Sequence, residues 1–286
     1  MDPTIRRAAV AGSWYPGTAA AITAEVEGYL AEAVTPKVPG RLVALVSPHA
    51  GLRYSGPVAA HGYGLLRNCP ALTVVLVGPS HRVAFHGVAT FARGAFETPL
   101  GRVPIAEDIA AALLAADPAL LDNPRVHRDE HSLEMQLPFL QHVTPNLRIV
   151  PLLMGSQSRE EVDALAGALA RTLAGRDVLL VASSDLSHYL PAAVANRVDA
   201  LVADQVARFD PDSLMSLLER GHVIEGAPES AGVACGGGPM VAVMKAARAL
   251  GAARARVLKY GDSGDAGEHD KRRVVGYLSA ALSADS

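Results

Sequence analysis

The sequence predicts an α/β layer fold with helices on both sides of one sheet. Three observations carry this. Strand-like and helix-like runs alternate through most of the 286 residues, the pattern of layered α/β architectures. The runs Leu42–Val46, Thr73–Val77 and Val178–Ala182 are continuous and rich in Val and Leu, as strands buried on both faces are. Half of the residues are hydrophobic, enough for one large core.

Taken in order, the first helix is expected at Ala19–Ala33, ahead of the Leu42–Val46 strand. A helix at Pro57–Arg67 and a strand at Thr73–Val77 follow, then a strand at Gly87–Phe91. Helices are expected at Ile105–Ala115 and Leu133–His142, the second kinked or ended by Pro138. A strand at Arg148–Leu153, a helix at Arg159–Ala174 and a strand at Val178–Ala182 come next. Helices at Ala192–Arg208 and Asp212–Glu219 lead into Gly221–Gly238, a long Gly-rich stretch of the kind that is often functional. Pro239 suits the first position of a helix to Leu250. Strands at Arg256–Tyr260 and Val274–Leu278 end the series. Composition shifts nowhere and no repeat is found, so residues 1–286 are expected to form one domain.

Charge excludes some partners. There are 26 basic and 29 acidic side chains, for a net charge of −3. They form no basic block, which argues against nucleic acid. Only four basic residues are lysines, and with the abundant alanine this suggests a GC-rich bacterial genome. The two cysteines, Cys69 and Cys235, make no disulfide framework, so a reducing cytoplasm is the expected location. The N-terminal stretch lacks the apolar core of a signal peptide. No apolar run reaches the roughly 18 residues needed to span a bilayer.

Three buried-looking strands run directly into loops bearing a histidine: Ser47-Pro48-His49-Ala50-Gly51, Gly78-Pro79-Ser80-His81 and Ser183-Ser184-Asp185-Leu186-Ser187-His188. Strand carboxyl ends form the ligand crevice of open α/β sheets. With Cys235 nearby, His49 and His81 suggest a metal centre, since thiolate plus imidazole suits zinc, copper or iron. Their spacing matches no local metal-binding pattern, and strand-capping histidines remain an alternative. Cys235 stands before Gly236–Gly238 and an expected helix, where a thiol pKa falls, serving a ligand or a nucleophile equally.

Asp185 and His188 can share one turn, with Asp185 orienting a general acid/base at His188; an N-cap cluster is the alternative. In His127-Arg128-Asp129-Glu130-His131-Ser132-Leu133-Glu134, the two histidines lie four apart, on one face if helical. Asp129 suits a cap; His131 leans towards function and His127 towards structure. Arg53 and Tyr54 are candidates for an anionic or aromatic ligand, and Trp14 for the same cleft. His61 reads as a core histidine. His86, His142, His222 and His269 carry no supporting context.

At these residues the chain resembles the Memo family, called AmmeMemoRadiSam system protein B in bacteria and archaea. The segments are Arg7-Ala8-Ala9-Val10-Ala11-Gly12-Ser13-Trp14-Tyr15-Pro16, Ser47-Pro48-His49-Ala50-Gly51 with Tyr54-Ser55-Gly56, and Gly78-Pro79-Ser80-His81. Then come Asp129 through Glu134, Ser183 through Tyr189, Ala234-Cys235-Gly236 and Val274-Val275-Gly276-Tyr277. The resemblance implies a three-layer α/β/α sandwich around a largely parallel or mixed sheet, like that of class III extradiol dioxygenases. It implies a pocket lined by His49, His81 and Cys235, with Asp185 and His188 beside them. The dioxygenases carry a carboxylate where Cys235 stands. A softer, oxidisable thiolate favours copper or a tuned iron site. The family name also implies an AMMECR1-like protein and a radical SAM protein as partners.

Three functions compete at this point. One is a redox or dioxygenase-like centre with one Fe or Cu ion, zinc also being compatible, acting on a small phenolic substrate. The catalytic set is then His188, Asp185 and His131, with Arg53, Tyr54 and Trp14 contacting substrate. The second is a non-catalytic module binding a peptide or other ligand in the same cleft. The third is a metal-free transferase or hydrolase with Cys235 as nucleophile and His188 as base.

Overall fold

Four Val- and Leu-rich runs form the centre of one sheet in the computed structural model, which describes residues 4–67, 69–221, 224–228, 232–266 and 270–285. In chain order the elements are β1 (Ile5–Arg6), α1 (Ala19–Glu32), β2 (Leu42–Ser47), α2 (Leu52–Tyr63), β3 (Leu72–Pro79), β4 (Val88–Thr90), β5 (Ala95–Thr98), β6 (Gly101–Pro104) and α3 (Glu107–Ala116). Next are β7 (Leu120–Asp122), α4 (Pro124–His127), α5 (Leu137–Val143), β8 (Leu147–Met154), α6 (Arg159–Leu173), β9 (Leu179–Ser183) and β10 (Asp185–Leu190). The chain closes with α7 (Ala192–Ala207), α8 (Pro211–Arg220), α9 (Gly237–Ala249), β11 (Ala252–Asp262) and β12 (Val274–Ala284).

The large sheet runs β10-β12-β2-β9-β3-β8-β4-β7, with β11 also paired to β12. Its centre, β2-β9-β3-β8, is parallel. The flanks are mixed: β12 lies antiparallel to β2, β10 and β11, and β4 antiparallel to β8. Helices α1, α2 and α5 pack together as one layer, and α3, α6, α7, α8 and α9 as the other. The fold is therefore a three-layer α/β/α sandwich around a mixed sheet. Central strand residues such as Val74–Val77 are wholly buried, which is why those strands read as unbroken apolar runs.

Several local expectations are corrected. Helix α2 begins at Leu52 rather than Pro57, with Pro57 inside it. Pro57 is exposed, so the missing N–H falls on the solvent side. Pro138 does not kink a helix: a 3₁₀ turn, Glu134–Gln136, precedes α5, and Pro138 sits in the first turn of α5, where no intrahelical N–H bond is due. The stretch after Ser184 is a strand, β10, rather than a cap for a new helix. β5 and β6, too short to show a period, pair with β1 in a second, three-stranded sheet. Parts of the Gly221–Gly238 stretch, with His222 and His269, lie outside the described residues.

Candidate metal centre

The parallel strands end on one edge of the sheet, and their loops converge there. His49 follows β2 and His81 follows β3. His131 arrives from the segment after α4. One donor atom from each of the three lies within 4.8 Å of the others. Ring centroids stand 5.2 Å apart for His49 and His81, 5.6 Å for His49 and His131, and 4.6 Å for His81 and His131. The cluster opens into a cavity of about 890 Å³, within the usual range for small-molecule sites.

Hydrogen bonding fixes which nitrogens are available. Ser183 Oγ meets the Ser132 carbonyl at 2.7 Å, Gln136 Nε2 at 2.7 Å and His49 Nδ1 at 2.8 Å. A carbonyl only accepts, so the single Ser183 proton goes to Ser132. Gln136 Nε2 also donates to the Pro48 carbonyl, which sets its amide orientation. His49 Nδ1 must then donate to Ser183, leaving the Nε2 lone pair free for another partner. At His81, Nδ1 lies 3.0 Å from Glu130 Oε1. Burial alone would raise the Glu130 pKa, but hydrogen bonds from the His81 ring and from the Ser132 and His81 amides hold it well below the usual carboxylate range. Glu130 is thus an anion, His81 donates through Nδ1, and Nε2 is again the free nitrogen. Such orientation of metal-binding imidazoles by an outer acceptor is a general device.

His49 and His131 are held neutral. Burial, with the neighbouring His81 and His131, pushes the His49 pKa well down. Burial lowers His131 to about 4, against the opposing charge of Glu130. His131 Nδ1 is buried without a hydrogen bond, although Glu130 Oε1 approaches to 3.3 Å. Trp14 covers the His131 ring, centroid to centroid 4.3 Å. Neutral rings at His49 and His131, Nδ1 engaged at His49 and His81, and an orphaned buried nitrogen at His131 suit a metal ion. The residues fit a metal.

Cys235 lies outside the group of three but touches it: Sγ is 3.3 Å from His49 Nε2. The Cys235 amide donates to the Asp185 carbonyl, and the Gly236 amide to Ser184 Oγ. A Cβ at Gly236 would come within 2.3 Å of the Ser183 carbonyl oxygen, so only glycine permits this docking. Without a metal, burial and the Asp185 carboxylate push the thiol pKa up, the reverse of the helix-terminus expectation. Desolvation outweighs the α9 N-terminus here. Its contact is His49, not the His188 that a nucleophile reading had as base.

Asp185 and His188 are both at the cavity, though not as one helical turn. Asp185 Oδ1 accepts from the backbone amides of His49, at 2.7 Å, and Ala50. Burial raises its pKa to about 6, those amide bonds opposing. His188 Nδ1 pairs with the Leu186 carbonyl at 2.8 Å. Asp185 therefore holds the His49 loop. In an unbroken strand, residues three apart face opposite sides. β10 has an extra residue relative to β12 between Asp185 and His188, whose partners Tyr277 and Val275 are only two apart. That bulge turns both side chains to the cavity.

His127 and His131 do not share a helix face, because α4 ends at His127. His127 is buried beside Phe91 and Phe96, with Nε2 on the Ala89 carbonyl, and burial drives its pKa to about 3. Asp129 caps no helix; it pairs with Arg128 on the surface. Glu130, which the sequence reading passed over, instead accepts from the His131 and Ser132 amides. His61 is half-buried, its Nδ1 on the Val34 carbonyl, and is not a core residue.

Trp14, Arg53 and Tyr54 line the cavity, as do Tyr277 and Tyr189, which lie in the family-like segments without an assigned role, and Arg82 and Arg273, which carry no sequence signal. The segment carrying Trp14 is anchored on both sides by Glu134, which ion-pairs with buried Arg6 and accepts from the Ala9 and Val10 amides and the Tyr15 hydroxyl.

Comparison with known proteins settles the family. The Memo-like protein family model matches residues 6–281. The chain belongs to the Memo family. A MEMO1 family protein of Methanothermobacter thermautotrophicus is 35% identical over 282 residues, covering 96% of this chain and 98% of that protein. One from Methanopyrus kandleri is 37% identical over 236 residues, covering 81% and 80%. Among solved structures, an uncharacterized protein from Escherichia coli K12 has a TM-score of 0.54 at 17% identity, covering 85% of this chain and all of that one, a likeness of fold. No helix among the described residues is long and apolar enough to cross a membrane.

Proposed function

We propose that this Memo-family chain is a redox metalloprotein that acts on a small phenolic substrate in the 890 Å³ cavity. The observation that carries the reading is the pair of imidazoles, His49 and His81, whose Nδ1 atoms are engaged by Ser183 and Glu130, which leaves Nε2 of each as the atom for an ion. One Fe or Cu ion, or zinc, would be held by His49, His81 and Cys235. The 3.3 Å from Cys235 Sγ to His49 Nε2 compares with about 3.6 Å for nitrogen and thiolate on one tetrahedral ion. A second donor set, His49, His81 and His131, is favoured by the 4.8 Å clustering of their donor atoms.

When bound, such an ion supplies redox chemistry and Lewis acidity. The residues do the rest. Asp185 and Ser183 hold His49 in place, and Glu130 holds His81. His188, half-buried at the cavity wall, takes or returns a substrate proton through Nε2, since Nδ1 is engaged. Trp14 shields His131 from water and offers an aromatic face to a ring.

The test is metal content by mass spectrometry on protein purified without oxygen, for the wild type and for His49→Ala, Cys235→Ser and His131→Ala. Near-stoichiometric iron or copper, lost in His49→Ala, is expected. Loss in Cys235→Ser but not His131→Ala selects the first donor set, and the converse the second. Unchanged stoichiometry in His49→Ala, or a wild type that takes up no added metal, refutes the metal reading and leaves a ligand-binding module in the same cleft.

A further inference from the structure

The mouth of the cavity carries three arginines: Arg53, Arg82 and Arg273. The lining also holds three carboxylates, Glu25, Asp185 and Asp270, of which Asp185 is tied to the His49 and Ala50 amides. Asp270 is held by Arg272 through two bonds of 3.0 Å, and Glu25 accepts from the Tyr29 hydroxyl. Among the described residues no carboxylate ion-pairs with Arg82 or Arg273.

Two of the arginines lie over tyrosines. The Arg53 guanidinium is 4.9 Å from the Tyr54 ring centre, and the Arg273 guanidinium 5.1 Å from that of Tyr189. At Arg273, stacking of this kind leaves the N–H edge of the guanidinium open for a planar carboxylate.

Tyr189 is placed there at a backbone cost. Its φ is +63°, a left-handed conformation that a bulky side chain rarely adopts. The cause is a second bulge in β10: His188 and Leu190 pair with Val275 and Val274, adjacent residues of β12, so Tyr189 has no partner in the ladder. Adjacent strand residues normally face opposite sides, yet His188 and Tyr189 both line the cavity. Tyr189 is 63% exposed, so burying it does not explain the strain. Strain retained at a cavity mouth is a pointer to function.

We propose that the Tyr189–Arg273 pair, with Arg82, reads an acidic group, so that the cavity selects small aromatic acids over neutral aromatics. The carboxylate is held by Arg273 at the mouth. The ring lies inward among Trp14, Tyr54 and Tyr277. The inference rests on the proposed phenolic substrate for the place of the ring, while the acid contact uses no metal donor.

The test is calorimetric titration of the full chain with 3,4-dihydroxybenzoate and with catechol, metal-loaded and metal-free, with metal content measured on the same preparations. The wild type is expected to bind the acid at least about tenfold more tightly than catechol, by the strength of a charge-assisted pair. The preference should shrink with added salt. Arg273→Gln should abolish it with catechol affinity retained. Tyr189→Gly, which takes a positive φ without strain, should reduce it about threefold through loss of the stacked ring. Equal affinity for the two probes, binding of neither, or a preference that survives in both Arg273→Gln and Arg82→Gln overturns the proposal. A preference present in protein that binds no metal would retain this inference and reject the metal reading.

Discussion

Glu130 and Glu134 lie four residues apart, both almost wholly buried, and they work in opposite ways. Glu134 is closed: an arginine neutralises it, and two amides and a tyrosine hydroxyl complete its shell. It ties the N-terminal strand and Trp14 to the rest of the chain. Glu130 has no arginine on its carboxylate. It is held by N–H donors, one of them on the His81 ring. A buried carboxylate matched by a fixed cation fixes the fold, whereas one matched by neutral donors keeps its charge available to a neighbouring ring. One short segment thereby supports both the fold and the site.

The contrast is sharpest in stability. Glu134→Gln leaves Arg6 charged and buried without its counter-ion, and a loss of about 3–5 kcal/mol is expected in urea unfolding. Metal uptake at residual folded protein should be little changed. The closed half also carries an acid weakness at His127, whose carbonyl accepts from Arg6 Nε. Its folded pKa of about 3 lies below the unfolded value of about 6.5. The unfolded chain therefore binds the proton first, so this contribution is intact above pH 6.5 and is lost as pH falls towards 3. Between pH 6.5 and 5 the loss is about 2 kcal/mol. His127→Gln should remove that part of the slope; an identical slope in the variant would show that the ring is protonated in the fold.

At the open carboxylate the expected effect falls on the metal instead. Glu130→Gln keeps the volume but not the charge, and metal affinity should fall about 10- to 100-fold, with a smaller loss of stability than in Glu134→Gln. If Glu130→Gln unfolds as readily as Glu134→Gln and binds metal normally, the two carboxylates do the same job and the comparison fails. The smallest change in metal affinity is expected from Ser183→Ala, which removes the neutral hydrogen bond to His49 Nδ1 along with those to Gln136 and the Ser132 carbonyl. A loss of about 1 kcal/mol, or roughly fivefold in metal affinity, would be read by competition with a chelator.

Sequence alone determined the layers. The apolar runs of β2, β3, β8 and β9 and the helical periods between them are local signals, and observed boundaries mostly fall within a few residues of expectation. It also placed His49 and His81 at strand ends, because a strand and the loop after it are continuous in the chain. Tertiary structure decided the rest. Whether Cys235 or His131 stands with those histidines depends on how segments from distant parts of the chain dock. The role of Glu130 was hidden because its partner, His81, lies 49 residues away. The bulges of β10 were hidden because a bulge exists only in register with a partner: nothing in Asp185–Leu190 shows that β12 will advance by fewer residues. Local composition encodes which residues form strands and helices, whereas pairing across the sheet sets the direction each side chain faces.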